Sequence, residues 1–172
     1  MRHSSIITKV ISHSEATIDV SEAVNFVKDE RFGATNLFIG SVRSCNRNRE
    51  VIAVEYDIFK PLALRKFGEI SDSVMAQYGP LLKIYIAHAY GKLHVGDIAV
   101  VVAVGSKHRH EAFVACREVI EAVKHRSPIW KREFYVDGET EWSEGCSLCT
   151  DNGIPLSTTP AASPPASMGH AH

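Results

Sequence analysis

No run of apolar residues in this chain approaches the ~20 needed to cross a bilayer, and the longest, such as Ile98–Val104, falls far short of it. Only four cysteines occur (Cys45, Cys116, Cys146 and Cys149), too few for a disulfide scaffold in 172 residues. The opening MRHSSIITKVISHSEATIDV holds neither a sustained apolar segment nor a small-residue cleavage site, so no secretory leader is expected and a reducing, cytoplasmic compartment is. Neither sign of charge dominates: 19 Lys+Arg against 20 Asp+Glu leave −1, which argues against bulk attraction to nucleic acid or an anionic membrane. GxGxxG, a Walker loop, HExxH and GxSxG are all missing, so the chemistries they mark have no support. There is no internal repeat. What remains, 45% hydrophobic and 23% charged, is the composition of an ordinary globular protein of about one domain.

Residues 150–172 hold four of the seven prolines and a single charge, Asp151, so a disordered Pro/Ala/Ser-rich tail is expected over 146–172 behind a folded domain over 1–145. Strand and helix signals alternate within that domain. Ile6–Ile11, Ala34–Val42, Val51–Ile58, Leu82–Tyr90, Asp97–Val104 and Ile129–Val136 read as strands, and Ser44–Glu50 as a polar loop. Ser21 reads as the N-cap of a short helix ending near Glu30, before Gly33. Pro61 opens a long helix with Ala63, Phe67, Ile70, Val74 and Tyr78 on one stripe, closed by Gly79-Pro80. A second long helix, His110–His125, carries Ala112, Phe113, Cys116, Val119, Ile120 and Val123, and Ser127-Pro128 breaks it. Asp137-Gly138 turns the chain towards Trp142. Two long helices and a shorter one are too few to cover both faces of a doubly wound sheet, so the expected class is α+β.

The neutral total hides local clusters. Residues 106–132 hold seven Lys/Arg against three acids, and Arg43, Arg47 and Arg49 face only Glu50. Such clusters suit a small anionic ligand or an anionic tail better than a polyanion, although charge alone favours a solvated helix face. Gly105-Ser-Lys-His-Arg109 feeds a helix N-terminus, where free N–H groups attract an anion, Arg109 can clamp a phosphate or carboxylate and His108 can carry a proton. The competing reading leaves Ser106 as a cap and both side chains in solvent. In Lys124-His-Arg-Ser-Pro-Ile-Trp-Lys131 the Ser-Pro break redirects the chain, so two lysines seven apart can approach each other. A lysine reacts as the neutral amine, and nearby cations with partial burial favour that form; alternatively Lys124 only complements the helix dipole. Gly40 and Ser41 leave room for close backbone approach ahead of Arg43, which ends its strand, although a lone arginine there is usually surface decoration.

Together, FIGSVR (Phe38–Arg43), EYDIF with PLA (Glu55–Ala63), H-x-x-G (His88–Gly91), VG-D (Val95–Asp97), S-K-H-R with H-E-A-F (Ser106–Phe113) and K-H-R-S-P-I-W-K-R-E (Lys124–Glu133) resemble the large, catalytic subunit family of molybdopterin synthase. The resemblance implies an α/β hammerhead-like fold with a mainly antiparallel sheet, a homodimer within a heterotetramer, and no cofactor or metal. The implied partner is a small ubiquitin-like sulfur-carrier subunit whose C-terminal Gly-Gly bears a thiocarboxylate, and the implied substrate is cyclic pyranopterin monophosphate, which receives sulfur to form the molybdopterin dithiolene. It further implies Lys124 as catalytic lysine with Lys131 supporting it, and substrate binding by Ser41, Val42, Arg43, His108, Arg109, Arg132 and Glu133.

The chain departs from the family pattern in places. Ala89 stands where many members have arginine, Lys107 where a small or apolar residue is usual, and the sequence diverges after Trp142. Cys146-x-x-Cys149 reads as an incidental pair ahead of a zinc half-site, since zinc needs four ligands. The rival to an enzyme is a non-enzymatic anion- or carrier-binding module, which would dock its partner without transferring sulfur.

Overall fold

The valine-rich run at residues 98–104 is apolar from end to end because it becomes an interior strand covered on both faces. The computed structural model describes residues 4–144. In chain order the elements are β1 (Ile6–Ser12), α1 (Val20–Val27), β2 (Ala34–Ser41), β3 (Cys45–Asn46), β4 (Arg49–Ile58), α2 (Lys60–Tyr78), β5 (Leu82–His94), β6 (Ile98–Ser106), α3 (Arg109–Arg126), β7 (Ile129–Tyr135) and β8 (Thr140–Glu144). Hydrogen bonding orders the strands β2-β6-β5-β4-β7-β8, with β1 added to β5 and β3 to β4. Only β1–β5 is parallel; the remaining pairs are antiparallel. This is the expected α+β class.

β5 joins the two parts of the sheet. Its first half runs between β1 and β6, and its second half, beyond the positive-φ Gly91, pairs with β4. Strand alternation then decides what faces what. Tyr85 meets Phe26 and Glu22 of α1, and Gly105, on the same face, lies against the Val27 carbonyl where a Cβ would sit 2.0 Å from the oxygen. Ile84, Ile86 and His88 therefore face the other way, with Val100, Val102 and Val104, towards the α2 and α3 layer. All of these are essentially inaccessible to solvent, and each buried aliphatic side chain contributes ~1.5–3 kcal/mol to folding. Among the described residues no helix is long and apolar enough to cross a membrane.

Several boundaries differ from the sequence reading. α1 is capped by Asp19, whose carboxylate accepts the Glu22 N–H at 3.1 Å, rather than by Ser21, and it stops at Val27. Phe113, expected on the buried stripe of α3, is exposed, and Ala115 is buried in its place, because the buried arc is rotated away from Phe113 towards Ala115. Gly91 bends β5 without ending it. The expected loop at 44–50 is instead a tight hairpin, β3 to β4, turned by Arg47 and Asn48 at φ 48° and 61°. β8 adds a strand beyond the Asp137-Gly138 turn. The tail and Cys146-x-x-Cys149 lie outside the described residues.

Candidate active site

The wall of the site starts with β4 and β7. Their antiparallel register sets Tyr56 beside Lys131 and Val54 beside Glu133. With a side-chain period of two, Lys131, Glu133 and Tyr135 share the inner face of β7, while Trp130, Arg132 and Phe134 point outward. A second wall comes from the end of β2. There the strand bulges between Gly40 and Ser41, and Gly40 lies so close to Val100 that an added Cβ would stand 2.6 Å from its side chain. Val42 is pinned next to it: its N–H donates to the Asp97 carbonyl (3.0 Å) and its carbonyl accepts from Gly96 N–H (2.8 Å). Arg43 is thereby held at the mouth. The last turn of α3 closes the space with Lys124.

The result is a cavity of about 120 Å³ lined by Ser41, Val42, Arg43, Lys124, Lys131 and Glu133 together with Phe38, Gly40, Asn46, Val54, Tyr56, Ala99 and Val100. The two lysines, seven apart in sequence, thus line one cavity from either side of the Ser-Pro break. A larger groove of about 420 Å³ between α2 and α3, bordered by Gln77, Glu118 and His125, contains none of the expected site residues.

Glu133 is the hub of the polar network. It is 7% exposed and accepts hydrogen bonds from Lys131 Nζ (2.9 Å), Tyr135 Oη (2.6 Å) and Asn46 Nδ2, and Asn46 in turn accepts from Arg43 (3.3 Å). Burial opposes ionisation of its carboxyl, yet the bonds from Tyr135, Lys131 and Asn46 outweigh that and hold it below the ordinary glutamate range. Tyr56 goes the other way: burial, and then the Glu133 charge, push its phenol up to about 12. The Tyr56 ring lies 5.8 Å from Lys124 Nζ. Three cations and one carboxylate leave the cavity positive, suited to an anion. Its two primary amines can bind, protonate or attack a carbonyl-like carbon.

Three expected binding residues lie elsewhere. Arg132, on the outer face of β7, pairs with Glu55 at 3.1 Å and sits between the Phe134 and Trp142 rings, 4.7 and 5.0 Å from their centres. His108 is the N-cap of α3 and Arg109 its first residue, so the helix separates them from Lys124 by about 22 Å at 1.5 Å per residue. One copy of the chain cannot bring them to this cavity. Sequence reasoning passed over Asn46, Tyr56 and Tyr135. Tyr56 was readable from its place on a strand that alternates inward, but Asn46 depends on a hairpin with no glycine to announce it. Among the described residues no three His, Cys, Asp or Glu side chains are grouped to hold a metal ion.

Comparison with known proteins gives this geometry its context. A Synechococcus elongatus protein named molybdopterin synthase catalytic subunit is 43% identical over 141 residues, covering 82% of this chain and 86% of that one. A Dictyostelium discoideum protein of the same name is 32% identical, covering 83% and 91%. The crystal structure of molybdopterin synthase from Staphylococcus aureus contains a chain that superposes with a TM-score of 0.72 at 31% identity, covering 78% of this chain and 94% of that one. The family model described as MoaE protein matches residues 13–126, a span that takes in β2, β4 and α3 with Lys124 and ends just before β7, and the chain therefore belongs to the MoaE family.

Proposed function

We propose that this chain is the catalytic subunit of a molybdopterin synthase. It moves sulfur from the C-terminal thiocarboxylate of a small ubiquitin-like carrier to cyclic pyranopterin monophosphate, forming the dithiolene. The observation that carries this reading is the convergence of Lys124, Lys131 and Arg43 on one cavity around a buried, ionised Glu133. A thiocarboxylate and a phosphate are both anions, and this is the place in the chain built to receive one. Arg43 and Lys131 hold the anion. Lys124 serves the reacting carbon or the thiocarboxylate as general acid/base or transient nucleophile. Glu133 fixes Lys131 and, through Asn46, Arg43, so that neither drifts when the ligand leaves.

His108 and Arg109 enter this scheme only from a second copy, because α3 holds them a helix length away from Lys124 in their own. A homodimer in which each α3 start faces the partner's cavity would supply the phosphate clamp that one chain lacks.

Incubating Lys124→Ala with a thiocarboxylated carrier and cyclic pyranopterin monophosphate, with product followed by mass, tests the assignment. Loss of dithiolene formation with carrier binding retained is expected. Wild-type turnover would overturn the catalytic role, and a wild-type chain that binds carrier yet forms no product would establish the non-enzymatic alternative.

A further inference from the structure

His88 is a buried histidine that the scheme above leaves unused. It lies in the middle of β5, fully inaccessible, opposite Val10 of β1 and Val100 of β6. Strand alternation turns its side chain away from Tyr85 and α1, towards the layer that contains α3, and its register partner Val100 lines the cavity. One ring nitrogen is accounted for: Nδ1 is 2.8 Å from the Ala89 carbonyl oxygen, which can only accept, so Nδ1 carries the hydrogen. Nε2 then bears a lone pair. It is buried and has no hydrogen-bond partner. Unspent buried acceptors are uncommon in folded proteins and call for a reason. The imidazole meets the Tyr56 ring nearly perpendicularly, with centroids 4.9 Å apart and planes at 74°, and Lys124 Nζ lies 5.8 Å from the centre of that same ring. Imidazole and amine therefore flank one aromatic platform.

We propose that His88 is a positioning residue for Lys124: its imidazole, fixed as the Nδ1–H tautomer by the Ala89 carbonyl, offers the Nε2 lone pair to an N–H of the lysine as that side chain moves within the cavity. This rests on Lys124 being the reacting amine. A neutral imidazole suits the task because it accepts a hydrogen bond without adding charge to a site that has to stay positive for its anion. It also stays neutral: burial, with the Lys124 charge second, holds it down at about 3. The other charged or titratable groups on the cavity are Tyr56 from β4, Lys131 and Glu133 from β7, and Arg43 beyond β2, and of these only Glu133 is an anion.

Two measurements test this separately from the function. Ring ¹⁵N spectra of the full-length wild type are expected to show the Nδ1–H tautomer, with an Nε2 resonance that moves in Lys124→Ala while Nδ1 stays. An Nε2–H tautomer, or an Nε2 resonance indifferent to Lys124, would overturn the proposal even if Lys124→Ala is inactive. Activity of Lys124→Ala at the wild-type level would instead sink the functional reading. The second measurement compares His88→Gln, which keeps an acceptor, with His88→Phe, which keeps the aromatic packing. His88→Phe should lose about tenfold in kcat at unchanged KM, the scale of one hydrogen bond to a charged group, and His88→Gln should recover most of it. The opposite order, phenylalanine active and glutamine not, would show that His88 only fills space.

Discussion

Replacing Glu133 tests the hub of the site. The carboxylate is 7% exposed and its partner Lys131 8%, and three donors converge on it. Breaking a buried ion pair from one side costs about 3–5 kcal/mol, mostly because the surviving charge is left uncompensated. Each neutral donor left unsatisfied adds ~1 kcal/mol or more. Glu133→Gln keeps volume and an acceptor, so a loss of about 3 kcal/mol is expected; Glu133→Ala also orphans Asn46 and Tyr135, and about 4–5 kcal/mol is expected. Against a typical domain stability of ~5–15 kcal/mol, the glutamine variant folds and the alanine variant is marginal. Urea unfolding followed by far-ultraviolet circular dichroism reads both. The decisive comparison is Lys131→Met/Glu133→Gln: removing the ammonium as well should make the double variant more stable than Glu133→Gln alone, with a coupling of at least about 1.5 kcal/mol. A Glu133→Gln variant within ~0.5 kcal/mol of wild type, or purely additive losses, would refute the claim that the pair is buried and mutually dependent.

Two other expectations follow from the geometry. His88 is held far below the ordinary histidine value of 6.5, so below that pH the unfolded chain binds a proton that the native chain refuses. Native stability should therefore fall by up to ~1.4 kcal/mol per pH unit on acidification from about 6 to 4, and His88→Phe should remove that component of the slope, as urea midpoints across the range would reveal; an unchanged slope contradicts it. Glu133 adds to the loss only below its ordinary value of 4.5, since its folded pKa is lowered. If His108 and Arg109 act on the partner's cavity, Lys124→Ala and Arg109→Ala chains, each inactive alone, should recover about a quarter of wild-type activity when mixed as freely exchanging dimers, because half the pairs are mixed and each mixed pair has one intact site; no recovery refutes the action of Arg109 on the partner's cavity.

The sequence made the chemistry more legible than its surroundings. Lys124 and Lys131 stood out because a Ser-Pro break separated two cations that helical spacing alone would not unite, and the structure puts both on one cavity. The valine-rich β6 and the stripe of α2 were readable because burial on a regular period leaves a regular pattern. The stripe of α3 was read off-centre, with Phe113 in place of Ala115, since periodicity reports a face but does not fix where its edges fall against the sheet. The β3–β4 hairpin escaped because Arg47 and Asn48 occupy positive-φ positions where glycine is the usual signal. His88 looks like a core residue in a linear reading; only the meeting of β4 and β5 sets it against the ring of Tyr56, which lines the cavity.

β7 carries two unrelated devices on alternate residues. Lys131 and Glu133 serve the interior, and Arg132 is clamped between Phe134 and Trp142 outside. A frame slip of a single position would put the guanidinium indoors and expel the ammonium and carboxylate together, so both faces penalise the same error. Divergence in this segment is therefore confined to exchanging side chains in place: insertions and deletions have to fall in the turns on either side.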